Sequence, residues 1–247
     1  MKKITTLTGL TLIFSATSAL WADGISNNIS ANINQTALNA FAKDVGSLMG
    51  GASFHQGKAL GFPLGIDVGV HGVGIVLQDK DAILRDDHAN AGAGWVQAEV
   101  GLPANINLIA RGGKFDDAKM YGGGLRVGLF TPPVPLLPAV SVSALYDKLN
   151  HDYVDAHTWS ANAVVSVDVP FIHPYLGVGW DHTNLKPTDR AFNEAPTGTS
   201  RDLNASVSGY RGEIGVNISV IPFTYLTLAA GLTNSKAMYH AGLGAKF

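Results

Sequence analysis

From about residue 65 to residue 247, apolar and polar residues alternate with a period of two. In "YRGEIGVNISV", the residues in phase with Tyr210 are apolar or Gly, whereas Arg211 and Glu213 lie in the other phase. Successive side chains of a β-strand point to opposite faces, so this alternation predicts strands with one apolar and one polar face. Ten strands are predicted, at 65–77, 93–102, 105–112, 119–130, 138–149, 158–169, 172–183, 207–219, 223–233 and 238–247.

The segment before these strands has a helical period instead. Between residues 30 and 49, apolar residues from Ile33 to Met49 recur on one face, and Gly50 and Gly51 provide a stop. The pattern therefore predicts an amphipathic helix in this segment.

The chain is predicted to have three parts. Lys2 and Lys3 precede a short apolar run, which predicts a signal peptide over 1–22. The amphipathic helix segment follows at 23–52, and the β-domain occupies 53–247. Residues 53–60 either extend the first strand or form another, and the preference of membrane barrels for an even number of strands disfavours another.

Two architectures fit the alternation, and they differ in which face is apolar. A soluble β-sandwich or lipocalin-like barrel buries apolar residues inside, whereas a transmembrane barrel turns them outward to lipid. The connections favour the transmembrane barrel: those after strands 2, 4, 6 and 8 are short and contain Pro, whereas the others are mostly longer and more polar.

Aromatic residues also sort by height along the strands, which predicts girdles at the two membrane surfaces. The predicted girdle comprises Tyr121, Tyr146, Trp159, Trp180, Tyr210, Tyr239 and Phe247, whereas Trp95 falls in the polar phase.

The last ten residues, "MYHAGLGAKF", alternate up to the terminal Phe247. With Tyr239, Leu243 and Phe247 at the characteristic places, this strand resembles the C-terminal signature of bacterial outer-membrane β-barrels. The resemblance implies an all-β, antiparallel up-and-down transmembrane β-barrel in the bacterial outer membrane, in contact with its lipid. It also implies recognition of the C-terminal strand by the barrel-insertion machinery. An even number of strands places both ends of the chain on the turn side, which would be the periplasm, and we expect a monomer.

The polar phase of the strands predicts a charged lumen. It contains Asp67, Glu99, Arg111, Arg126, Asp147, Asp168, Arg211 and Glu213. Because a small barrel fills with side chains, the favoured interpretation is a salt-bridged polar core, and the alternative is a narrow, gated pore. Inward glycines such as Gly177 and Gly179 leave space that the predicted helix could enter as a plug, although the helix could equally lie under the barrel. His71 and His240 are expected to be hydrogen-bonded fillers of the lumen.

Composition limits the chemistry of the chain. It has no Cys, a formal charge of −2 and no basic block. Disulfides and thiolate sites are thus excluded, and nothing favours nucleic-acid binding. We predict no cofactor and no metal, because His151–His157 and the acidic stretch 79–87 are more typical of hydrated loops.

An enzyme is the least favoured possibility. The chain contains no Gly-x-Ser-x-Gly motif. Omptin proteases are ten-stranded barrels with an Asp pair and an Asp/His pair at the outer rim, and this chain offers Asp86-Asp87-His88 and Asp181-His182. Neighbouring strand residues point to opposite faces, so Asp181 and His182 cannot enter one cleft without a bulge. We therefore expect a structural or surface-interaction barrel, or alternatively a small-solute or hydrophobic-ligand transport barrel gated by the helix.

Overall fold

The computed structural model describes residues 25–247, apart from 64, 85–88, 116, 133 and 135. The predicted signal peptide lies outside the described residues. Within them, the segments of period-two alternation form ten strands. These are β1 (Ile66–Val76), β2 (Asn90–Leu102), β3 (Ile106–Phe115), β4 (Ala118–Phe130), β5 (Pro138–His151), β6 (Val154–Val167), β7 (Ile172–Pro187), β8 (Ala205–Ile218), β9 (Thr224–Thr233) and β10 (Lys236–Lys246).

The strands close into a barrel. Each pairs antiparallel with the next, and β10 pairs with β1, from Lys246 opposite Asp67 to Met238 opposite Ile75. Ile66 and Phe247 exchange two backbone hydrogen bonds, of 3.0 and 2.8 Å, which ties the end of the chain into the wall. Closure pairs the backbone groups that a sheet edge would leave free. The described strands confirm the predicted fold class, an all-β, antiparallel up-and-down barrel with an N-terminal helix.

The alternation decides which side of the wall each residue faces. In β8, for example, Ile214 is exposed on the outside and Glu213 is buried inside. In β4 the pairing shifts at a β-bulge between Gly128 and Phe130, so that Leu129 and Phe130 are both exposed. The bulge explains why Phe130 lies one residue out of phase with the rest of its strand.

The predicted contrast between short turns and long loops holds only in part. On the loop side, the connections at 77–89 and 188–204 are long, but those after β3, β5 and β9 span two residues each. The turn-side connections are 103–105, 131–137, 168–171 and 219–223. The reason is that strands pair further than predicted: β3 with β4 as far as Phe115 opposite Ala118, and β5 with β6 as far as His151 opposite Val154. These stretches, predicted as loops, therefore form hairpins, and β6 and β7 likewise pair as far as Val154 opposite Pro187.

Three α-helices lie in the described part of the chain: α1 (Ile25–Asn32), α2 (Gln35–Gly50) and α3 (Asp189–Glu194). The helix predicted at 30–49 is thus interrupted. Asn34 takes an extended conformation, and its side chain caps α2 by accepting a hydrogen bond from the Ala37 N–H (2.9 Å). Among the residues described, no helix has the length and apolar character needed to cross a membrane.

The N-terminal segment lies inside the barrel. At the loop end, the Gln35 side chain donates to the carbonyl of Asn204, in the connection after β7 (2.7 Å). At the turn end, the Leu60 N–H donates to Asn107 Oδ1 (3.2 Å). Residues 35–60 therefore run the length of the lumen to the point where β1 begins. The expectation that both chain ends lie on the turn side is wrong for the N-terminal segment, because α1 and α2 lie at the loop end.

The apolar stripe of α2 explains this position. Phe41 and Val45 are fully buried, and they belong to one core cluster with inward residues of the wall near the loop end. That part of the inner face is apolar rather than polar, so it provides a surface for the stripe to bury. Its residues are Val73, Ile75, Ala91, Ala93, Trp95, Met120, Leu149, Ala156, Leu185 and Met238.

Candidate functional site: the lumen of the barrel

One buried ion pair of the lumen also holds the N-terminal segment. Arg111 Nε and Nη2 donate to the two carboxylate oxygens of Asp147 at 2.7 and 2.5 Å. Nη2 donates as well to the carbonyl of Met49 (2.6 Å), near the C-terminal end of α2. The Arg111 guanidinium carbon lies 5.2 Å from the ring centroid of Trp95. A cation is favourable here because the last carbonyls of a helix are unpaired and its dipole is negative at that end.

A second buried arginine lies on the opposite side of the barrel, on β8. Arg211 Nε and Nη2 donate to the Asp181 carboxylate at 2.5 and 2.9 Å, and Nη2 also donates to Asn162 Oδ1 (2.8 Å). The ring of Phe54, from the N-terminal segment, lies 5.0 Å from the guanidinium carbon. The segment thus contacts both arginines, once through a helix carbonyl and once through an aromatic ring.

Glycines create the space that the segment occupies. A Cβ placed on Gly177 or Gly179 would lie 3.0 Å or less from the ring of Phe54. A Cβ on Gly46 of α2 would overlap the side chain of Thr183, and one on Gly50 would overlap that of Asp181. Small residues on both surfaces therefore allow the segment and β7 to approach closely.

A third group lies nearer the turn end and includes an imidazole of the N-terminal segment. Arg126 Nη2 donates to Glu99 Oε1 (3.0 Å) and to His55 Nδ1 (3.3 Å). Tyr225 Oη donates to Asp67 Oδ1 (2.7 Å). His55 Nε2 lies 3.7 Å from Asp67 Oδ2 and 3.6 Å from Glu99 Oε1, between two wall carboxylates.

A fourth group joins two histidines to a carboxylate. Tyr175 Oη donates to Glu213 Oε1 (2.5 Å), and His240 Nδ1 lies 3.2 Å from the same oxygen. His71 Nδ1 and His240 Nε2 are 3.2 Å apart, so one of these two nitrogens donates to the other. Both histidines are hydrogen-bonded inside the lumen, as expected from their phase.

The structure places most of the predicted lumen residues in these groups. Asp67, Glu99, Arg111, Arg126, Asp147, Arg211 and Glu213 are all buried. Asp168 lies instead in the connection after β6, where its partly exposed carboxylate pairs with Lys58 Nζ (3.0 Å). Sequence reasoning missed Tyr175 and Tyr225, although the phase of their strands points inward. It had no signal for His55, which belongs to no strand.

The predicted girdle residues lie on the outer face. Six of them are exposed by 38% (Trp180) to 72% (Tyr210). Tyr146 is half-buried because its ring packs on Trp159, with centroids 4.5 Å apart. At the turn end, the ring of Phe247 stacks on that of Phe223 at 5.8 Å. Trp95 does not belong to the girdle: it is buried inside the barrel, as its polar phase indicates.

The described part of the rim does not form an omptin-like arrangement. Asp181 points inward to Arg211, whereas the neighbouring His182 faces outward and contacts Ser208 Oγ (3.0 Å). The stretch Asp86-Asp87-His88 lies outside the described residues. In the described ranges, no group of three His, Cys, Asp or Glu side chains is placed to hold a metal ion.

Two carboxyl groups connect α2 to the connection after β1 at the loop end. Asp44 Oδ2 accepts a hydrogen bond from the Gln78 N–H (2.9 Å), and Asp81 Oδ1 accepts from the N–H groups of Ile83 and Leu84 (2.9 and 3.0 Å). Burial, together with the neighbouring Asp81 carboxyl, raises the pKa of Asp44 to about 9. Burial also raises the pKa of Asp81. The pair therefore holds a proton at neutral pH, which allows the two carboxyls to lie together.

The closed wall, its apolar outer face and its charged interior define a β-barrel of the transmembrane class. The resemblance to bacterial outer-membrane β-barrels is confirmed at the level of this class. The chain belongs to DUF6588, a family of unknown function, whose sequence profile matches residues 87–247. That match covers β2 to β10 and excludes the N-terminal segment and β1. No curated protein has a significantly similar sequence.

Solved structures of similar fold are bacterial barrels of low sequence identity. The N-terminal β-barrel domain of Pseudomonas aeruginosa OprF is 13% identical, with a TM-score of 0.39, covering 74% of this chain and 97% of that chain. Ail, the attachment invasion locus protein of Yersinia pestis, solved with the heparin analogue sucrose octasulfate, is 12% identical, with a TM-score of 0.34 and coverages of 75% and 100%. The Acinetobacter baumannii outer membrane protein Omp33 is 9% identical, with a TM-score of 0.33 and coverages of 74% and 98%. The assignment to the barrel class rests on the strand pairing and the two faces of the wall.

Proposed function

We propose that the protein is an outer-membrane β-barrel of structural or surface-interaction type, closed by its own N-terminal segment and without enzymatic activity. The observation that carries this proposal is the position of residues 35–60 inside the wall. Hydrogen bonds hold the segment at successive heights of the lumen. They join Ser47 to Thr233, Met49 to Arg111, His55 to Asn217, Gly57 to Ser166 and Leu60 to Asn107.

The outer face supports a location in a membrane. Large apolar side chains are exposed on every described strand, among them Val70, Val96, Leu108, Leu125, Val142, Val165, Val178, Ile214, Leu228 and Leu243. Monomeric soluble proteins rarely expose contiguous apolar patches larger than a few hundred Å². Lipid contact removes this surface from water, and the antiparallel pairing around the described wall gives the strand backbones the hydrogen-bond partners that lipid cannot supply. Insertion by the barrel-assembly route through β10 and a monomeric state are parts of the same proposal.

The loop end is proposed to face the outside of the cell. In that orientation α1, the start of α2 and α3 lie at the exposed surface, and β10 ends at the periplasm. Single cysteines test this, because the chain contains none. Ala31→Cys and Val134→Cys lie at exposed positions on the loop end and the turn end. A membrane-impermeant maleimide should label the first in intact cells and the second only after permeabilisation, and the reverse order would contradict the orientation.

Conductance tests whether the lumen is closed. The complete chain should give no discrete channels in a planar bilayer, because the segment and the side chains around it fill the bore. A variant lacking residues 25–52 should conduct. A control variant lacking residues 195–202, from the connection after β7, keeps the segment and should stay silent. Discrete channels from the complete chain would contradict closure.

The second candidate is a small-solute or hydrophobic-ligand transport barrel gated by the segment. Space at both ends favours it. A groove of about 320 Å³ lies between α2 and the connection after β1, and a cavity of about 270 Å³ lies at the turn end. Conductance that develops in the complete chain under applied voltage, but not in a variant whose segment is covalently tied to the wall, would support this candidate.

A further inference from the structure

The cavity of about 270 Å³ at the turn end is lined by unpaired polar groups. His55, Gln56 and Lys58 of the N-terminal segment line one side. The rest is lined by wall residues of β1, β7, β8, β9 and β10 and by the connections after β6 and β8. Four of the lining side chains have buried polar atoms without a hydrogen-bond partner among the described residues: His55, Gln56, Asp67 and His173. Buried polar atoms are rarely left unpaired, so water or a bound solute must supply their partners.

The floor of the cavity presents a donor beside an acceptor. Arg126 can only donate, so its contact with His55 Nδ1 makes that nitrogen an acceptor. With Nδ1 accepting, the N–H of the His55 ring is the one at Nε2. This N–H lies 3.7 Å from Asp67 Oδ2, too far for a direct hydrogen bond, and neither atom has another such partner in the described chain. A hydroxyl group between them could accept from His55 and donate to Asp67, whereas an ammonium group could only donate.

Two lysines lie at the mouth of the cavity. Lys246 Nζ donates to the side-chain oxygen of Gln56 (2.9 Å), and Lys58 pairs with Asp168 (3.0 Å). The side-chain nitrogen of Gln56 and both ring nitrogens of His173 have no partner in the part of the chain described. Two ammonium groups, of Lys58 and Lys246, thus lie with unused donors in a cavity whose lining also includes the carboxylates of Asp67 and Asp168. A carboxylate ligand suits this arrangement because its two oxygens accept several charge-assisted hydrogen bonds.

We propose that this cavity binds a small hydroxycarboxylate. Its hydroxyl lies between His55 Nε2 and Asp67 Oδ2, and its carboxylate lies at the mouth, against Lys246, Gln56 and His173. The volume is just below that of typical ligand pockets, which run from ~300 to ~1,000 Å³, so an acid of a few carbons fits. In the orientation proposed above, the site would face the periplasm. It would give the closed barrel a binding site for a small ligand.

Histidine-selective ¹⁵N NMR of the complete chain in detergent micelles, at constant pH, tests the proposal. D- and L-lactate are the probes. Propionate lacks the hydroxyl, and L-alanine carries an ammonium group in its place. At least one lactate enantiomer should shift the ring signals of His55 and His173 saturably, with about ten-fold tighter binding than propionate or alanine. The signal of His151, at the loop end, should not move.

Variants separate the two halves of the site. Asp67→Asn should weaken lactate binding about ten-fold and leave propionate unchanged, whereas Lys246→Gln should weaken both. His173→Leu removes a ring with no partner in the described chain, so it provides a second mouth variant that should fold. Lys80→Gln, at the loop end, is the matched control. A cavity that holds only water would give no saturable shift of the histidine signals, and this result would overturn the proposal. Equal affinities for lactate and propionate would overturn it as well. Because binding is measured in micelles, its failure leaves the conductance test of the closed lumen unaffected.

Discussion

Replacing Arg111 by Met should destabilise the barrel and release the end of α2 together. One guanidinium bonds both Asp147 and the carbonyl of Met49, and neither side chain of the ion pair is exposed. Its loss leaves a buried, unpaired carboxylate, which costs about 3–5 kcal/mol. It also removes a charged hydrogen bond, worth about 1.5–3 kcal/mol. Because one side chain makes both contacts, these values are not additive, and we expect a loss of about 4 kcal/mol in the free energy of unfolding.

Urea unfolding in phospholipid vesicles, followed by circular dichroism, measures this loss. With a slope of about 2 kcal/mol per M urea, the midpoint of Arg111→Met should fall by about 2 M. Lys148→Met makes the same kind of change at an exposed position beside Asp147 and should change the free energy by less than about 0.5 kcal/mol. The double variant Arg111→Met/Asp147→Leu should recover much of the loss, because no unpaired charge is left buried. An unchanged midpoint for Arg111→Met, or no recovery in the double variant, would refute the reasoning.

Two further substitutions test the contacts of the N-terminal segment. The pKa of Asp44 is raised from 3.8 to about 9, so its stabilising contribution is complete below pH 3.8 and is lost as the pH rises through 9. Asp44→Asn should abolish this loss of stability and be more resistant to heat than the parent at pH 9. Asp79→Asn, at an exposed site, should keep the parent's dependence of thermal stability on pH. Parallel pH dependences for all three proteins would count against the buried carboxyl pair. Gly177→Val should displace the ring of Phe54 and lower the free energy of unfolding by about 1–3 kcal/mol. Gly212→Val, whose Cβ would meet no atom within 4 Å, should have little effect in the same urea assay, and equal effects would mean that Phe54 is not seated there.

The wall of the barrel was predictable because its signal is local. A period of two needs only neighbouring residues, and it gave the direction of Glu213 and Ile214 without any knowledge of the fold. Trp95 shows the same rule at work: its phase placed it inside, although an aromatic residue at that height suggested the girdle. The bulge at Phe130 and the extension of β6 and β7 depend on pairing between strands, which local patterns do not report.

The path of the N-terminal segment was not predictable in the same way. Its contacts join residues far apart in sequence, such as Ser47 and Thr233. The apolar stripe of α2 requires a partner surface, and the inward apolar residues Val73 and Ile75 supply it. In the sequence these two residues look like ordinary members of a strand. The lumen carboxylates Asp67, Glu99, Asp147 and Glu213 were predicted from phase alone, whereas Asp181 was not predicted to belong to the lumen. His55, which lies between Asp67 and Glu99, comes from a stretch with no periodicity.

A disulfide tests most directly whether the N-terminal segment lies inside the wall. Ser47 Oγ on α2 and Thr233 Oγ1 on β9 are 2.7 Å apart, and the chain has no Cys to interfere. Thr158 and Thr183, whose hydroxyl oxygens are 2.8 Å apart on neighbouring strands, provide a control pair within the wall. Both Ser47→Cys/Thr233→Cys and Thr158→Cys/Thr183→Cys should form disulfides in oxidised intact cells and resist thiol alkylation until they are reduced. Free, alkylatable thiols in the first variant, alongside a disulfide in the second, would contradict the account.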